Sequence, residues 1–170
     1  NGTIEVSSVK GEGSTFIVTI PFKIATSDMI TLEKHKNKEA DITGMNILLA
    51  EDNELNMEIA EFILQDLGAN VTKAWNGEEV VRAFKDSSSG AYDAILMDIM
   101  MPEMDGYTAA KVIRSLDRED AKNIPIIAMT ANAFTEDKMR AFEAGMNEHI
   151  SKPISEDKVL SVLSVFCKNI

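Results

Sequence analysis

Glu51-Asp52, Asp98, Thr130 and Lys152 are the residues of this chain whose types could do chemistry together. Each stands at the end of a short apolar run: the acidic pair after 45–50, Asp98 after 94–97, Thr130 after 124–129, and Lys152 just past 149–150. Three carboxylates, a hydroxyl and one ammonium form a donor set suited to a divalent metal and a phosphoryl group. Oxygen ligands with no Cys or His among them favour Mg²⁺, which keeps several waters and joins one or two carboxylates to phosphate oxygens. Two unit charges about 4 Å apart repel by roughly 4 kcal/mol at an effective dielectric of about 20. Three carboxylates held together therefore need a bound cation or a proton between them. The competing reading is a solvated acidic rim, but acids ending two separate apolar runs do not resemble surface decoration.

Asp98 is the nucleophile candidate. In Ile95-Leu96-Met97-Asp98-Ile99-Met100-Met101-Pro102 an apolar strand delivers one carboxylate to its end, and such a carboxylate can attack phosphorus to give an acyl phosphate. Phosphoryl transfer requires mainly alignment and charge neutralisation, which Mg²⁺ and Lys152 would supply, with Thr130 reaching a phosphate oxygen. A cis bond before Pro153 would fix the lysine's approach, although trans is commoner.

These residues meet only if the runs between them are strands of one sheet. Strands are predicted near 45–50, 69–74, 93–97, 124–129 and 148–150, and helices near 54–67, 77–87, 106–117, 134–144 and 156–168. Asn53 and Ser155 are placed to cap the first and last helices, Gly68 and Gly145 to end the first and fourth, and Asn76-Gly77 and Asp105-Gly106 to turn strands into helices. Strict alternation implies an α/β domain, a doubly wound (βα)5 parallel sheet. The carboxyl ends of such strands share one edge, where ligands bind.

Before this domain, 2–8 and 14–21 alternate apolar and polar residues around Lys10-Gly11-Glu12-Gly13, the pattern of a β-hairpin. An isolated hairpin is marginal in water, so this one is expected to extend a larger sheet, dock, remain frayed, or, as its exposed edge favours, pair with a second copy to make a homodimer. Residues 23–43 are polar, charged and weakly periodic, a linker, and His35 reads as a solvated linker residue. The expected division is 1–22, 23–43 and 44–170. Beginning at Asn1 without Met, the chain is expected to be a piece of something longer. The net charge of −11 falls mostly on 44–170, at −10, which argues against direct nucleic-acid binding. No apolar run approaches the roughly 20 residues that cross a bilayer, so no membrane contact is expected here. The single cysteine, Cys167, excludes an internal disulfide and fits a reducing, cytoplasmic compartment.

Residues 44–170 resemble a response-regulator receiver domain. The matching residues are Glu51-Asp52, Asp98 with Met101-Pro102 and Asp105-Gly106, Thr130-Ala131 and Lys152-Pro153. The resemblance implies a flavodoxin-like sheet of order 2-1-3-4-5 and an Asp98 that accepts a phosphoryl group from phosphohistidine. Asp52, Asp98 and the Met100 backbone carbonyl would ligate Mg²⁺, with Glu51 acting through water. Thr130 and Lys152 would hold the phosphate, and Thr130 would relay its arrival to the last helices. Residues 1–22 resemble the closing hairpin of a histidine-kinase ATP-binding domain, without its ATP-holding loop. Kinase tail, linker and receiver in that order resemble a hybrid histidine kinase, whose partners would be the kinase core and a histidine phosphotransfer domain. The parent would be a phosphotransferase, with or without a membrane anchor, whereas this fragment would promote only its own phosphorylation and dephosphorylation. Asn53-Glu54-Leu55-Asn56-Met57 supports the hybrid reading, and Asn53, Asn56, Met57 and Pro153 are expected on the partner face.

Two positions depart from the common receiver pattern. His149 stands where an aromatic residue is usual; it is either a tolerated strand residue or a switch element whose rotamer or protonation follows phosphorylation. Met100 is apolar where some receivers are polar, and is expected to shield the acyl phosphate from water. Two rival functions are an aspartate-nucleophile phosphatase, which normally carries a second aspartate where Met100 stands, and an interaction module that works without phosphorylation.

Overall fold

The computed structural model describes residues 2–21, 41–131 and 135–166; His35, Cys167 and most of the predicted linker lie outside them. Two compact units divide between Lys36 and Asn37. The first contains the predicted hairpin, β1 (Thr3–Val9) paired antiparallel with β2 (Gly13–Thr19). Its turn places Gly11 and Gly13 at φ 89° and 111°, backbone that a Cβ disfavours. Opposed pairs Ile4–Val18 and Val6–Phe16 put four apolar residues on one face, while Thr3–Thr19, Glu5–Ile17 and Ser7–Thr15 lie on the other.

The second unit alternates as expected. In order come β3 (Asn46–Ala50), α1 (Glu54–Asp66), β4 (Asn70–Ala74), α2 (Gly77–Asp86) and β5 (Ala94–Asp98). They are followed by α3 (Gly106–Ser115), α4 (Glu119–Asn123), β6 (Ile126–Thr130), α5 (Thr135–Glu143), β7 (Glu148–Ser151) and α6 (Glu156–Leu163). The five strands are parallel in the order β4-β3-β5-β6-β7, which is 2-1-3-4-5 counted within the domain. β5 and β6 are buried along their whole length because helices cover both faces. Ile47, Leu49, Leu96, Ile127 and Met129 meet Met57, Ala60 and Leu64 of α1 and Val159 and Leu163 of α6. Leu48, Ile95, Met97 and Ile126 meet Val80, Phe84, Ala110 and Ile113 on the opposite face.

Three sequence expectations need correction. α4 was not anticipated: five residues, three of them charged and only Ala121 buried, carry no readable apolar period. Ser155 occupies the N-cap position of α6 but makes no capping hydrogen bond through its side chain. Met57 is fully buried and so does not belong to a partner face; with Ala60 and Leu64 it forms the i, i+3, i+7 stripe that packs on the sheet. The outward apolar residues of α1 are Leu55, Ile59 and Phe62, which are 64%, 46% and 68% exposed.

Candidate phosphoacceptor site

Chain order reverses direction in the sheet between β3 and β5, so the loops leaving their carboxyl ends part in opposite directions and open a crevice. Asp98 ends β5 and is buried at 6% exposure, whereas Asp52, just beyond β3, is exposed. Glu51 is buried beside it, its backbone N–H donating to the Ala74 carbonyl at 3.1 Å. Carboxylate oxygens of Glu51, Asp52 and Asp98 all lie within 4.8 Å of one another. Residues separated by nearly fifty positions are thus one acidic cluster, as their places at strand ends predicted.

One ammonium serves two of the three acids. Lys152 Nζ donates to Glu51 Oε2 at 2.5 Å and to Asp98 Oδ2 at 2.7 Å. Burial alone would push this ammonium down, but the hydrogen bonds and charges of Asp98 and Glu51 outweigh it and hold the lysine above its ordinary value. The other oxygens are also engaged: Asn56 Nδ2 donates to Glu51 Oε1 at 2.9 Å, and the Met100 N–H donates to Asp98 Oδ1 at 3.3 Å. Asn53 caps α1 by accepting the Asn56 N–H at 3.1 Å, so the first turn of the helix aims Asn56 at the acid. Asn56 is therefore an orienting residue of the cluster as well as a surface residue.

Thr130 ends β6 and is buried at 8% exposure, its carbonyl accepting the Lys152 N–H at 2.8 Å. The Lys152–Pro153 peptide is cis. Lys158 was not anticipated: its Nζ donates to the carbonyls of Ser151 and Pro153, both at 3.0 Å, bracketing Lys152. A lysine in the first turns of a helix gives no sequence signal for such a role. His149 lies within β7, opposite Ala128, and its Nδ1 is 2.8 Å from Glu148 Oε1. Met100 projects outward at 79% exposure. The donor set fits a hard divalent cation, since the cluster offers carboxylate oxygens and no thiolate or imidazole.

Comparison with known proteins agrees with this geometry. The receiver domain of the sensor histidine kinase PA1611 from Pseudomonas aeruginosa, solved with magnesium in its active-site cleft, is 39% identical, with a TM-score of 0.65 over 73% of this chain and 98% of that one. The receiver domain of Saccharomyces cerevisiae Ssk1, solved with the phosphotransfer protein Ypd1, belongs to a match of 30% identity and TM-score 0.62 over 69% of this chain and 84% of that one. Hybrid signal transduction histidine kinase L of Dictyostelium discoideum is 32% identical over 99% of this chain, which spans 10% of that protein. Among such curated relatives the chain covers between 10% and 20% of their length. No helix among the described residues is long and apolar enough to cross a membrane. Residues 47–164 match the response regulator receiver domain, and the chain belongs to that family.

Proposed function

We propose that this receiver is the phosphoacceptor segment of a hybrid histidine kinase, with 1–22 the end of the kinase's ATP-binding domain, 23–41 a linker, and the acceptor domain beginning at Ile42, two residues before the expected start, because that side chain is buried in the core with Met45 and Ile47. A match running through 99% of the chain into a much longer hybrid kinase supports that arrangement. The observation that carries the acceptor role is the buried Asp98 carboxylate at the sheet edge, sharing one lysine with Glu51 and lying within reach of Asp52.

In this reading an Asp98 oxygen attacks the phosphorus of a phosphohistidine. The new P–O bond replaces the P–N bond, and the donor imidazole leaves as it gains a proton. Lys152 steadies the carboxylate beforehand and the phosphoryl oxygens afterwards, and Thr130 offers its hydroxyl to the phosphate. Mg²⁺, held by Asp52, Asp98 and the Met100 carbonyl with Glu51 behind water, would neutralise charge on the transferring group. Asn56 keeps Glu51 oriented throughout. Exposed Ile59 lines a groove with Glu51, Asn56, Lys152, Pro153 and Ile154, and exposed Leu55 and Phe62 share its outward stripe of α1 at i, i+4, i+7 spacing. That apolar surface beside the acceptor is where a histidine phosphotransfer domain would seat, together with Asn53. A phosphatase is disfavoured by Met100, which offers no acid–base group two residues after Asp98.

Intact mass after incubation with acetyl phosphate and Mg²⁺ tests the acceptor reading. One added phosphoryl group is expected, absent with EDTA or in Asp98→Asn. No gain from acetyl phosphate or from a phosphohistidine donor would leave the interaction module as the better account.

A further inference from the structure

We propose that Asn76 and Glu103 form a tether that positions the loop following the acceptor aspartate; this deepens, and rests on, the reading of Asp98 as phosphoacceptor. The loop spans 99–105 and carries Met100, whose N–H bonds to Asp98 Oδ1. Its base is closed by the Gly106 N–H on the Ile99 carbonyl at 3.0 Å. A Cβ at Gly106 would overlap the Asp98 carbonyl oxygen, so helix α3 begins directly against the acceptor's own backbone.

Between these ends Glu103 has φ 65°, the only positive value recorded for a non-glycine residue among those described. Glutamate has no intrinsic liking for this conformation, so the surroundings must hold it. Asn76 Nδ2 donates to Glu103 Oε2 at 2.7 Å, and the neighbouring Gly77 N–H donates to the Met104 carbonyl at 3.1 Å. Two adjacent residues of the β4–α2 turn thereby grip two adjacent residues of the acceptor loop. The contact is close enough that a Cβ at Gly77 would overlap the Met104 carbonyl oxygen.

The Asn76 amide has one consistent orientation. Its Oδ1 caps α2 by accepting the Glu79 N–H at 2.8 Å, while Glu79 Oε2 accepts the Trp75 N–H at 2.8 Å. The amide NH₂ is then the group that faces Glu103, matching a donor to a carboxylate. One side chain joins the start of α2 to the loop that bears Met100, and so sets how the Met100 backbone meets Asp98.

The test is a donor–acceptor swap in the full chain. Asn76→Asp keeps a helix-capping oxygen but sets a carboxylate against Glu103. Glu103→Gln keeps an acceptor for Asn76. The double variant restores the bond with its direction reversed, at the parent's net charge. Hydrogen–deuterium exchange over 99–105, Mg²⁺ affinity by calorimetry and the rate of phosphoryl uptake are read for all four proteins. Asn76→Asp is expected to speed exchange in the loop and to lower affinity and rate about threefold, a small coupling suited to an exposed pair. The double variant is expected to recover both, and Glu103→Gln to stay near the parent. An added negative charge by itself would strengthen cation binding, so a fall has the sign of lost geometry. Unchanged exchange and affinity in Asn76→Asp, or a double variant no better than Asn76→Asp, would overturn the tether. A parent that takes up no phosphoryl group would instead remove the acceptor reading, with exchange over 99–105 still deciding the tether.

Discussion

The two edges of the parallel sheet use the same kind of bond, a cationic side chain donating to oxygen, for opposite ends. At the carboxyl edge a single lysine faces two carboxylates directly, with a third, Asp52, beside them. At the amino edge Arg114 donates to the carbonyls of Gly145, Ala121 and Ile124 and to Asn147 Oδ1, at 2.7–2.8 Å. Arg118 stacks over Phe84 at 4.4 Å, donates to the carbonyls of Phe84, Ser87 and Ser88 at the end of α2, and pairs with Asp120 at 2.6 Å. There donors and acceptors are matched, and the bonds fasten helix ends to strand starts. Acid is in excess at the carboxyl edge, three carboxylates to one lysine, which is the donor set proposed above for a divalent cation. A saturated polar network stiffens a fold; carboxylates in excess of their cation are relieved by a further positive charge.

Removing the cation at each edge separates these roles most strongly. Lys152→Ala is expected to slow phosphoryl uptake from acetyl phosphate by about 100-fold, the usual cost of losing a charged group aimed at the reacting centre, while the protein still folds. Stopped-flow or mass-based rates, with thermal melts alongside, check this. Arg114→Ala is expected to do the reverse: a loss of about 2–3 kcal/mol in urea unfolding, because several carbonyls lose a charged donor, with uptake per folded molecule nearly unchanged. If uptake fell in proportion at Arg114→Ala, the two edges would not be separable.

The edges should also fail at opposite ends of the pH scale. Lys152 is held above its ordinary value, so its contribution is complete below pH 10.5 and is lost as pH rises through the folded value. Asp120 is held well below the usual carboxylate range, chiefly by the Arg118 hydrogen bond and then by the Gly90 N–H and the Arg118 charge, against the opposing effect of burial. Its contribution is complete above 3.8 and lost as pH falls through the folded value. Melting temperatures against pH should show a shallower acid limb in Asp120→Asn and a shallower alkaline limb in Lys152→Met. The smallest expected effect is at the rim of the reactive edge. Met100→Asn, replacing an exposed thioether with an amide that can hold water, should shorten the aspartyl-phosphate lifetime a few-fold, as followed by loss of the added mass.

The reactive edge was legible in the sequence because its residues follow apolar runs that could only be buried strands. Glu51, Asp98 and Thr130 each follow such a run, whereas Lys152 follows the short strand Glu148–Ser151, in which only Ile150 is apolar and buried; alternation with helices put all four at one edge. Caps were legible for the same local reason: Asn53, Asn76 and Asp105 all accept from the helix they begin. The fastening edge was not. Arg114 and Arg118 bond to carbonyls as far as thirty-four positions away, and a carbonyl is present at every residue, so no side-chain type marks the partner. Met57 was misplaced because α1 has apolar residues on both faces, and hydropathy alone cannot say which stripe meets the sheet.

Residue types and their spacing determined the strand–helix alternation, the location of the acidic residues at strand ends and the family that follows from them, since those signals are local and repeat with the period of the backbone. Only the tertiary structure decided that Lys152 divides itself between Glu51 and Asp98, that Asn56 orients Glu51, and that Asn76 reaches the acceptor loop. These bonds depend on the separation and direction of side chains brought together by sheet packing, quantities that a sequence period does not contain.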